Sequence, residues 1–305
     1  MEENFLKTNR GRNRWWNYII SLLLLMTLLI LSDPLSTMFY KWYVEHDGSA
    51  GSFYSPDLDQ AISLNPYINY SFHQLYVVFC LIGIVLVMLL IHRRSVLTLI
   101  TPNKKVNWRK MGWGFLVLLI PMCTTTIIDY FLFSSDYSLN RINLEVFLKV
   151  FGLLIVFLPI QTLMEELYFR SYLMQWIGSK VSNKIFLSII VGLINGGILI
   201  SFDPYLMDLN PVYSGLSYIV IGILLTYITS KTNSLEIAIG AKFAYYLYIS
   251  VLSMLGFTRY QFFPNYFSIS SLYTKMYLFW TVLSFGILAF VTVKRFQGKK
   301  DITHI

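Results

Sequence analysis

The sequence predicts an all-α protein, a polytopic transmembrane bundle of about eight helices with both termini in the cytoplasm. Two features of the composition predict this fold class. Charged residues make up 13% of the chain, against roughly 25% in a typical soluble domain, so lipid has to be its main solvent. Hydrophobic residues make up 56% and fall into long runs. We therefore expect a multi-pass protein of the cell membrane.

The apolar runs define the eight helices in chain order. They are expected at about 15–40, 74–91, 112–133, 146–170, 185–202, 212–230, 235–255 and 277–293. The first run begins at a Trp pair and is too long for the core of a signal peptide, so it is predicted to be a retained span. Residues 41–73 carry four acidic residues together with Gly, Ser and Pro, and are expected to form an external loop.

Basic residues set the orientation. The predicted cytoplasmic segments hold Lys7, Arg10, Arg12, Arg14, Arg93, Arg94, Lys104, Lys105, Arg109, Lys110, Lys180, Lys184, Lys231, Lys294, Arg295, Lys299 and Lys300. The external loops hold Lys41, Arg141, Arg259 and Lys275. This asymmetry predicts that both termini are inside, which requires an even number of spans. The net charge of +8 then indicates contact with anionic membrane lipid and not with nucleic acid.

The cysteines and histidines are few and scattered. Cys80 and Cys123 lie in apolar segments, cannot form a disulfide framework or a cysteine-based zinc site, and are expected to be small buried apolar side chains. The four histidines are His46, His73, His92 and His304. Two lie on the predicted external side, one at the end of the second helix and one in the tail, so none is expected to reach Glu165.

Ionisable residues at membrane depth are costly, and each is therefore a candidate functional residue. Asp129 and Lys149 lie near the external ends of two consecutive helices, where a structural ion pair or extension of the side chains to the interface is expected. Glu236 lies in the first turn of the seventh helix, where a carboxylate complements the positive end of the helix dipole.

The most informative charges lie at the cytoplasmic end of the fourth helix, in the run Glu165-Glu166-Leu-Tyr-Phe-Arg170. Residues four apart share a helix face, so Glu166 and Arg170 are expected to pair. Glu165 then points about 100° away, toward another part of the bundle. Two adjacent carboxylates repel each other unless a cation, a metal or a shared proton intervenes. This run is therefore the principal candidate site.

The same run, followed by Ser-Tyr-Leu, resembles the first motif of the CPBP family, which includes type II CAAX prenyl proteases and bacterial Abi proteins. The resemblance covers residues 147–255 and includes a turn, Asn233-Ser234-Leu235, that opens a later motif helix. It implies an intramembrane endopeptidase whose first glutamate activates water, while histidines and an asparagine from later helices complete the site. The implied catalytic residues here are Glu165, Glu166 and Arg170. A carboxylate in a low-dielectric cavity can serve as a general base near neutral pH.

The later motifs depart from the family pattern. Where the second motif has F-x-x-x-H, this chain has Asn195 and Leu199. Where the third motif has H-x-x-x-N, it has Lys242 and Tyr246. Without the two imidazoles, a zinc site cannot be assembled from these helices, and an oxyanion donor is lost. No cofactor or metal is therefore expected, and hydrolysis by the family mechanism should be weak or absent.

Two of the substituted residues invite specific hypotheses. Lys242 would bring an ammonium beside Glu165 and Glu166 and form a structural cluster with them and Arg170; the alternative is a lysine that acts as a base in another reaction. Asn195 belongs to an Asn-Gly-Gly run that favours close helix packing, although a polar gate or a substitute catalytic role is also possible. The tyrosines of the seventh helix could line a cavity or belong to an aromatic interface.

Three functions remain open on this evidence. The first is a catalytically weakened or non-enzymatic family member that acts through a membrane or cell-envelope protein partner, in envelope regulation or bacteriocin immunity. The second is an active endopeptidase that cuts a peptide substrate with Glu165 as general base. The third is a transporter, which ranks last because no paired broken helices are evident. We divide the chain into N-terminal helices (1–146), the CPBP-like core (147–255) and a last helix with a basic tail (256–305).

Overall fold

The computed structural model describes residues 4–8, 10–46, 53–55, 60–62, 66–132, 137–139, 144–202, 211–254, 267–269 and 273–297. The α-helices are α1 (Trp15–His46), α2 (Pro66–His73), α3 (Leu75–Leu86), α4 (Trp108–Leu132), α5 (Leu144–Glu165), α6 (Tyr172–Gly178), α7 (Lys184–Phe202), α8 (Pro211–Thr232), α9 (Glu236–Met254) and α10 (Tyr273–Gln297). Two π-helical segments, Val87–Ile91 and Glu166–Ser171, extend α3 and α5, and a 3₁₀ turn covers Val96–Leu99. These elements confirm the predicted all-α, multi-pass bundle.

The short strands lie in the connections between helices. They are β1 (Phe53–Ser55), β2 (Gln60–Ile62), β3 (Tyr137–Leu139) and β4 (Phe267–Ile269). β1 and β2 form an antiparallel hairpin. β3 pairs with β4 in antiparallel register, with Tyr137 opposite Ile269. This second pair joins the α4–α5 connection to the connection before α10, so the two connections lie on the same side of the bundle, as the predicted topology requires.

The segment predicted as an external loop, 41–73, is helical at both ends, so the expectation of a loop was wrong for those residues. α1 runs to His46, and α2 occupies Pro66–His73. Proline is favourable in the first turn of a helix because its missing N–H needs no partner there. Stacked aromatic rings hold the two helices together, with 5.0 Å between the centroids of Tyr40 and Phe72. These contacts override the polar, turn-rich composition of the segment.

Among the described residues, seven helical stretches are long and apolar enough to cross a membrane, and α9 is not one of them. α9 corresponds to the predicted seventh helix, but Glu236, Lys242 and several tyrosines lower its hydropathy. It packs against α4, α5 and α8, and most of its side chains are buried. Protein, more than lipid, therefore surrounds this helix, which explains why its sequence is less apolar than that of a lipid-facing span.

Glycines bring α9 unusually close to α4. A Cβ added to Gly240 would clash with the carbonyl oxygen of Met111, and one added to Gly114 would clash with the carbonyl oxygen of Ile237. The two backbones are therefore in direct contact, in the manner of small-residue interfaces in membranes. α7 and α8 meet in the same way at Gly192, where a Cβ would lie 2.5 Å from the backbone nitrogen of Ile223.

We call the end of the bundle that carries residues 4–14, 92–108 and 178–184 the basic face; it is the side predicted to be cytoplasmic. Here the N-terminal segment folds back onto the helices. The Phe5 side chain is buried, and its backbone N–H donates to Asn233 Oδ1 over 2.9 Å. Arg12 N–H donates to the His92 carbonyl over 2.7 Å, and the Arg12 carbonyl accepts from His92 Nδ1 over 2.9 Å.

His92 is buried in its neutral form at this face. Because Nδ1 donates to a carbonyl, Nε2 is the acceptor, and it receives the hydroxyl of Tyr172 over 2.6 Å. The pKa of His92 is lowered from 6.5 to about 4, mainly by burial and also by the charge of Arg94, while the bond to Arg12 opposes this. Folding thus selects the neutral imidazole.

The close contact of α4 and α9 predicts a site-specific effect of one methyl group. Gly240→Ala forces the two backbones apart and should destabilise the protein by about 1–3 kcal/mol. Gly152→Ala is the control: nothing lies within 4 Å of a Cβ at this helical position, so a change of less than about 1 kcal/mol, toward greater stability, is expected. Thermal melting in a mild detergent measures both. Equal melting temperatures for the two variants would contradict the contact.

The neutral His92 predicts a loss of stability in acid. The unfolded chain takes up a proton as the pH falls through 6.5, whereas folded His92 does so only near 4, so its contribution is complete above pH 6.5 and declines between 6.5 and 4. The melting temperature of His92→Gln should therefore fall less steeply over this range than that of the wild type. His46→Gln, at an exposed histidine, should follow the wild type. Parallel curves for all three proteins would refute the assignment.

Candidate functional site

The candidate site begins where α5 passes into the π-helical segment Glu166–Ser171. All six residues of this segment are buried, and it continues into α6. A π-helical turn is wider than an α-helical turn and often marks a functional site. Adjacent residues of an ideal α-helix point about 100° apart. At this junction, however, the carboxylates of Glu165 and Glu166 both face the interior of the bundle and reach the same amine.

That amine belongs to Lys242, in the second turn of α9. Its Nζ lies 2.7 Å from Glu165 Oε2 and 3.4 Å from Glu166 Oε1. The lysine side chain is only 2% exposed, and both glutamates are buried. The predicted meeting of Lys242 with the two carboxylates is therefore present in the structure, and it connects two helices that are far apart in the sequence.

Arg170 supplies the second positive charge. Its Nη1 forms an ion pair with Glu166 Oε2, four residues earlier, as the spacing predicts. Lys242 and Arg170 balance the two carboxylates, so the formal charge of these four residues is zero. An unpaired ion in this environment would cost several kcal/mol, and mutual compensation is what allows four ionised groups to be buried together. We call Glu165, Glu166, Arg170 and Lys242 the ionic cluster.

Two further residues complete the surroundings of Glu165. The Tyr246 hydroxyl donates to Glu165 Oε2, and Gln161 Nε2 donates to Glu165 Oε1 over 3.1 Å. Neither contact was predicted from the sequence. The helical spacing could have indicated both, because Tyr246 follows Lys242 by four residues and Gln161 precedes Glu165 by four, which places each pair on one helix face.

Asn195, the other possible catalytic substitute, has no hydrogen-bond contact with the ionic cluster among the described residues. It is buried on α7, and neither atom of its amide has a hydrogen-bond partner among the described residues. It therefore forms no hydrogen bond with the ionic cluster. The packing expected of its neighbours is half right: Gly196 lies tightly against Ile219 of α8, whereas a Cβ at Gly197 would meet nothing within 4 Å.

The residues present do not suit a metal ion. No group of three histidine, cysteine, aspartate or glutamate side chains that could hold a metal occurs in the described part of the chain. The two glutamates are bound to cationic side chains, and Leu199 offers an alkyl group where the family motif has an imidazole. A divalent cation would have to displace the Lys242 ammonium and would find only carboxylate ligands beside it.

The remaining candidate charges have structural roles. Asp129 is buried and accepts a hydrogen bond from Trp280 Nε1 over 3.3 Å. Lys149 forms its ion pair with Glu145 of its own helix, at 2.6 Å and 51% exposure, so the pairing of Asp129 with Lys149 is replaced by separate contacts. Glu236 lies in the first turn of α9, as predicted, and its Oε1 also accepts from Asn107 N–H over 2.7 Å.

Predictions for single residues were otherwise mixed. Cys80 is buried, as expected. Cys123 is exposed, because it follows the buried Met122 and points to the outer face of α4. His92 contacts Tyr172, Ser21 and Arg12 and stays away from the glutamates, in agreement with the prediction. His304 lies outside the described residues.

The charge balance of the ionic cluster predicts a strong dependence on Lys242. Lys242→Met leaves two buried carboxylates with one cation and should destabilise the protein by about 3–5 kcal/mol. Lys149→Met is the control, because an ion pair this exposed contributes little to stability. Adding Glu165→Gln to Lys242→Met should recover part of the loss, since it removes the unpaired charge. Thermal melting in detergent measures all variants; if Lys242→Met is as mild as Lys149→Met, the cluster does not stabilise the fold.

Comparison with known proteins agrees with this geometry. Residues 147–248 match the family described as type II CAAX prenyl endopeptidase Rce1-like. The chain is 30% identical over 268 residues to "Uncharacterized protein YyaK" of Bacillus subtilis (strain 168), which covers 88% of this chain and 87% of that protein. No solved structure matches the chain. With its E-E-x-x-x-R motif at the centre of a multi-pass bundle, this membrane protein belongs to the Rce1-like family of type II CAAX prenyl endopeptidases.

Proposed function

We propose that this chain is a catalytically weakened or non-enzymatic member of its family, which acts by binding a membrane or cell-envelope protein partner. The observation that carries the proposal is the position of the Lys242 ammonium, 2.7 Å from Glu165 Oε2. The family motif has a histidine at this position. Here the position holds a fixed positive charge that neutralises the carboxylate.

Glu165 is poorly placed to act as a general base. A base has to present a free lone pair to a water molecule at about 2.6–3.2 Å. Glu165 Oε1 already accepts from Gln161, and Oε2 contacts both Tyr246 and Lys242. Both contacts of Oε2 would have to change before this oxygen could activate water, and Oε1 keeps one lone pair beside its bond to Gln161.

The groups that would stabilise a developing oxyanion are also occupied or missing. Lys242 and Tyr246 stand at the family's histidine and asparagine positions, and both point at Glu165. Leu199, at the other histidine position, has no donor. The loss of one oxyanion donor typically costs about 10²–10³ in rate, so the loss of several supports a very slow or absent hydrolysis.

A binding function follows from what the chain retains. The E-E-x-x-x-R motif is kept, and with Lys242 it becomes a rigid polar connection between α5 and α9. A bundle held in this way can present a fixed surface to a polypeptide within the membrane or to the adjacent cell envelope. Regulation of an envelope enzyme and immunity to a bacteriocin are functions of this class, since both need recognition and neither needs hydrolysis.

An active endopeptidase is the second candidate, and one observation favours it. The two carboxylates lie on a π-helical turn, a feature that is frequent at functional sites, and the match to an endopeptidase family covers this turn. In this alternative, a substrate displaces Lys242 from Glu165 and frees the carboxylate. The displaced Lys242 would then need a new partner, because a buried ammonium without an opposite charge is costly.

Glu165→Gln separates the two candidates. It keeps the shape of the side chain and its bond to Gln161 or Tyr246 but removes the base. For a binding protein we expect the same co-purification of its membrane partner per folded molecule after cross-linking, and no cleavage of a prenylated CAAX peptide in liposomes by either wild type or variant. Protein level and melting temperature are measured alongside, with Lys149→Gln as a surface control. Cleavage by the wild type that Glu165→Gln abolishes, at equal protein level, would establish the endopeptidase instead.

A further inference from the structure

Arg94 is a buried cation at the basic face and does not belong to the ionic cluster. Arg94 follows the π-helical end of the α3 span by three residues. Its side chain is 5% exposed, although it belongs to a loop on the surface of the bundle. The N-terminal segment covers it: Gly11, with φ of +72°, lies directly over the His92 carbonyl and beside the Arg94 side chain.

The guanidinium of Arg94 is only partly hydrogen-bonded. Nη2 donates to Gln175 Oε1 over 2.8 Å and lies 3.5 Å from the Tyr18 hydroxyl. Nε and Nη1 are buried and have no hydrogen-bond partner among the described residues. In the same part of the chain, no carboxylate lies within ion-pair distance of Arg94, in contrast to Lys110, Lys149, Arg170 and Lys242, each of which has one.

The groups around Arg94 are neutral. Tyr18, Tyr172 and Gln175 carry no charge, and His92 is held as neutral imidazole by its bonds to Arg12 and Tyr172. Burial lowers the pKa of Arg94 below its ordinary value, but a guanidinium stays protonated. A positive charge with unpaired donors is therefore enclosed by dipoles alone, an arrangement that buried ions normally avoid by pairing with an opposite charge.

We propose that Arg94 is the binding residue for a phosphate-group anion at the basic face. Arginine binds phosphate through several N–H donors at once, and the unpaired Nε and Nη1 supply them here. The anion provides the negative charge that none of the described residues places beside Arg94. Neighbouring Arg10, Arg12 and Arg93 are exposed and raise the local concentration of anions at this face.

The geometry also defines how the anion enters. Because Nε and Nη1 are buried, groups around Arg94 have to shift before an anion can reach them, and the segment at Gly11, which packs against the Cβ of Arg94, is one of these groups. This segment is held to His92 by the two backbone bonds of Arg12. Two sources of phosphate are available at a face predicted to be cytoplasmic: the headgroup of an anionic lipid and soluble inorganic phosphate.

Melting experiments on delipidated protein in neutral detergent test the proposal. Inorganic phosphate is compared with chloride at constant ionic strength, and dioleoylphosphatidylglycerol is compared with dioleoylglycerol, which has the same chains without the phosphate. At least one phosphate probe should raise the melting temperature of the wild type in a saturable way, by roughly 5 °C at saturation. Arg94→Gln should lose this shift. Arg93→Gln, which removes an exposed charge at the adjacent residue, should keep it.

The outcomes distinguish the two sources of the phosphate group and also cover a variant that does not fold. A shift with inorganic phosphate identifies a soluble anion site, and a shift with phosphatidylglycerol alone identifies a lipid headgroup site. If Arg94→Gln does not fold, Arg94→Lys, which keeps the charge but has fewer donors, should need several-fold more phosphate for half the shift, and native mass spectrometry of the wild type should show retained phosphate or phospholipid. No shift with either probe, or equal shifts in Arg94→Gln and the wild type, overturns the proposal.

Discussion

The contact between the Lys242 ammonium and the carboxylates of Glu165 and Glu166 is the constraint on which the site depends. Four ionised side chains lie within the bundle, and they are tolerated because each has an opposite charge beside it. Removal of any one leaves a buried charge without compensation. The contact also joins α9 to the end of α5, so the packing of these two helices depends on the ion pairs of the site.

This constraint explains the composition of α9. A helix that faces lipid has to be apolar on every exposed side, but α9 is enclosed by α4, α5 and α8. It can therefore carry Lys242 and Glu236, because each finds a partner inside the protein. The glycine contacts between α4 and α9 bring the backbones together, which leaves little space beside the helix. Close packing and paired charges thus support each other.

The sequence contained the parts of this site but not their geometry. The spacing of Glu166 and Arg170 predicts their ion pair, and the family motifs place Lys242 beside the glutamates; both contacts are present. The π-helical segment Glu166–Ser171 was not predicted, because no single residue type announces such a turn. The helical continuation of residues 41–73 was missed because aromatic contacts between α1 and α2 form only in the folded chain.

Lys242 and Arg94 are both buried cations, and they differ in the charge of their neighbours. Lys242 is matched by carboxylates of its own chain, so any other ligand has to compete with an existing ion pair. The described neighbours of Arg94 are neutral and two of its donors are unpaired, so an anion does not have to compete with an existing ion pair. The same electrostatic rule therefore leads to opposite conclusions at the two positions. The residues of the family motif form a closed structural cluster, and the capacity to bind an external anion lies at the basic face.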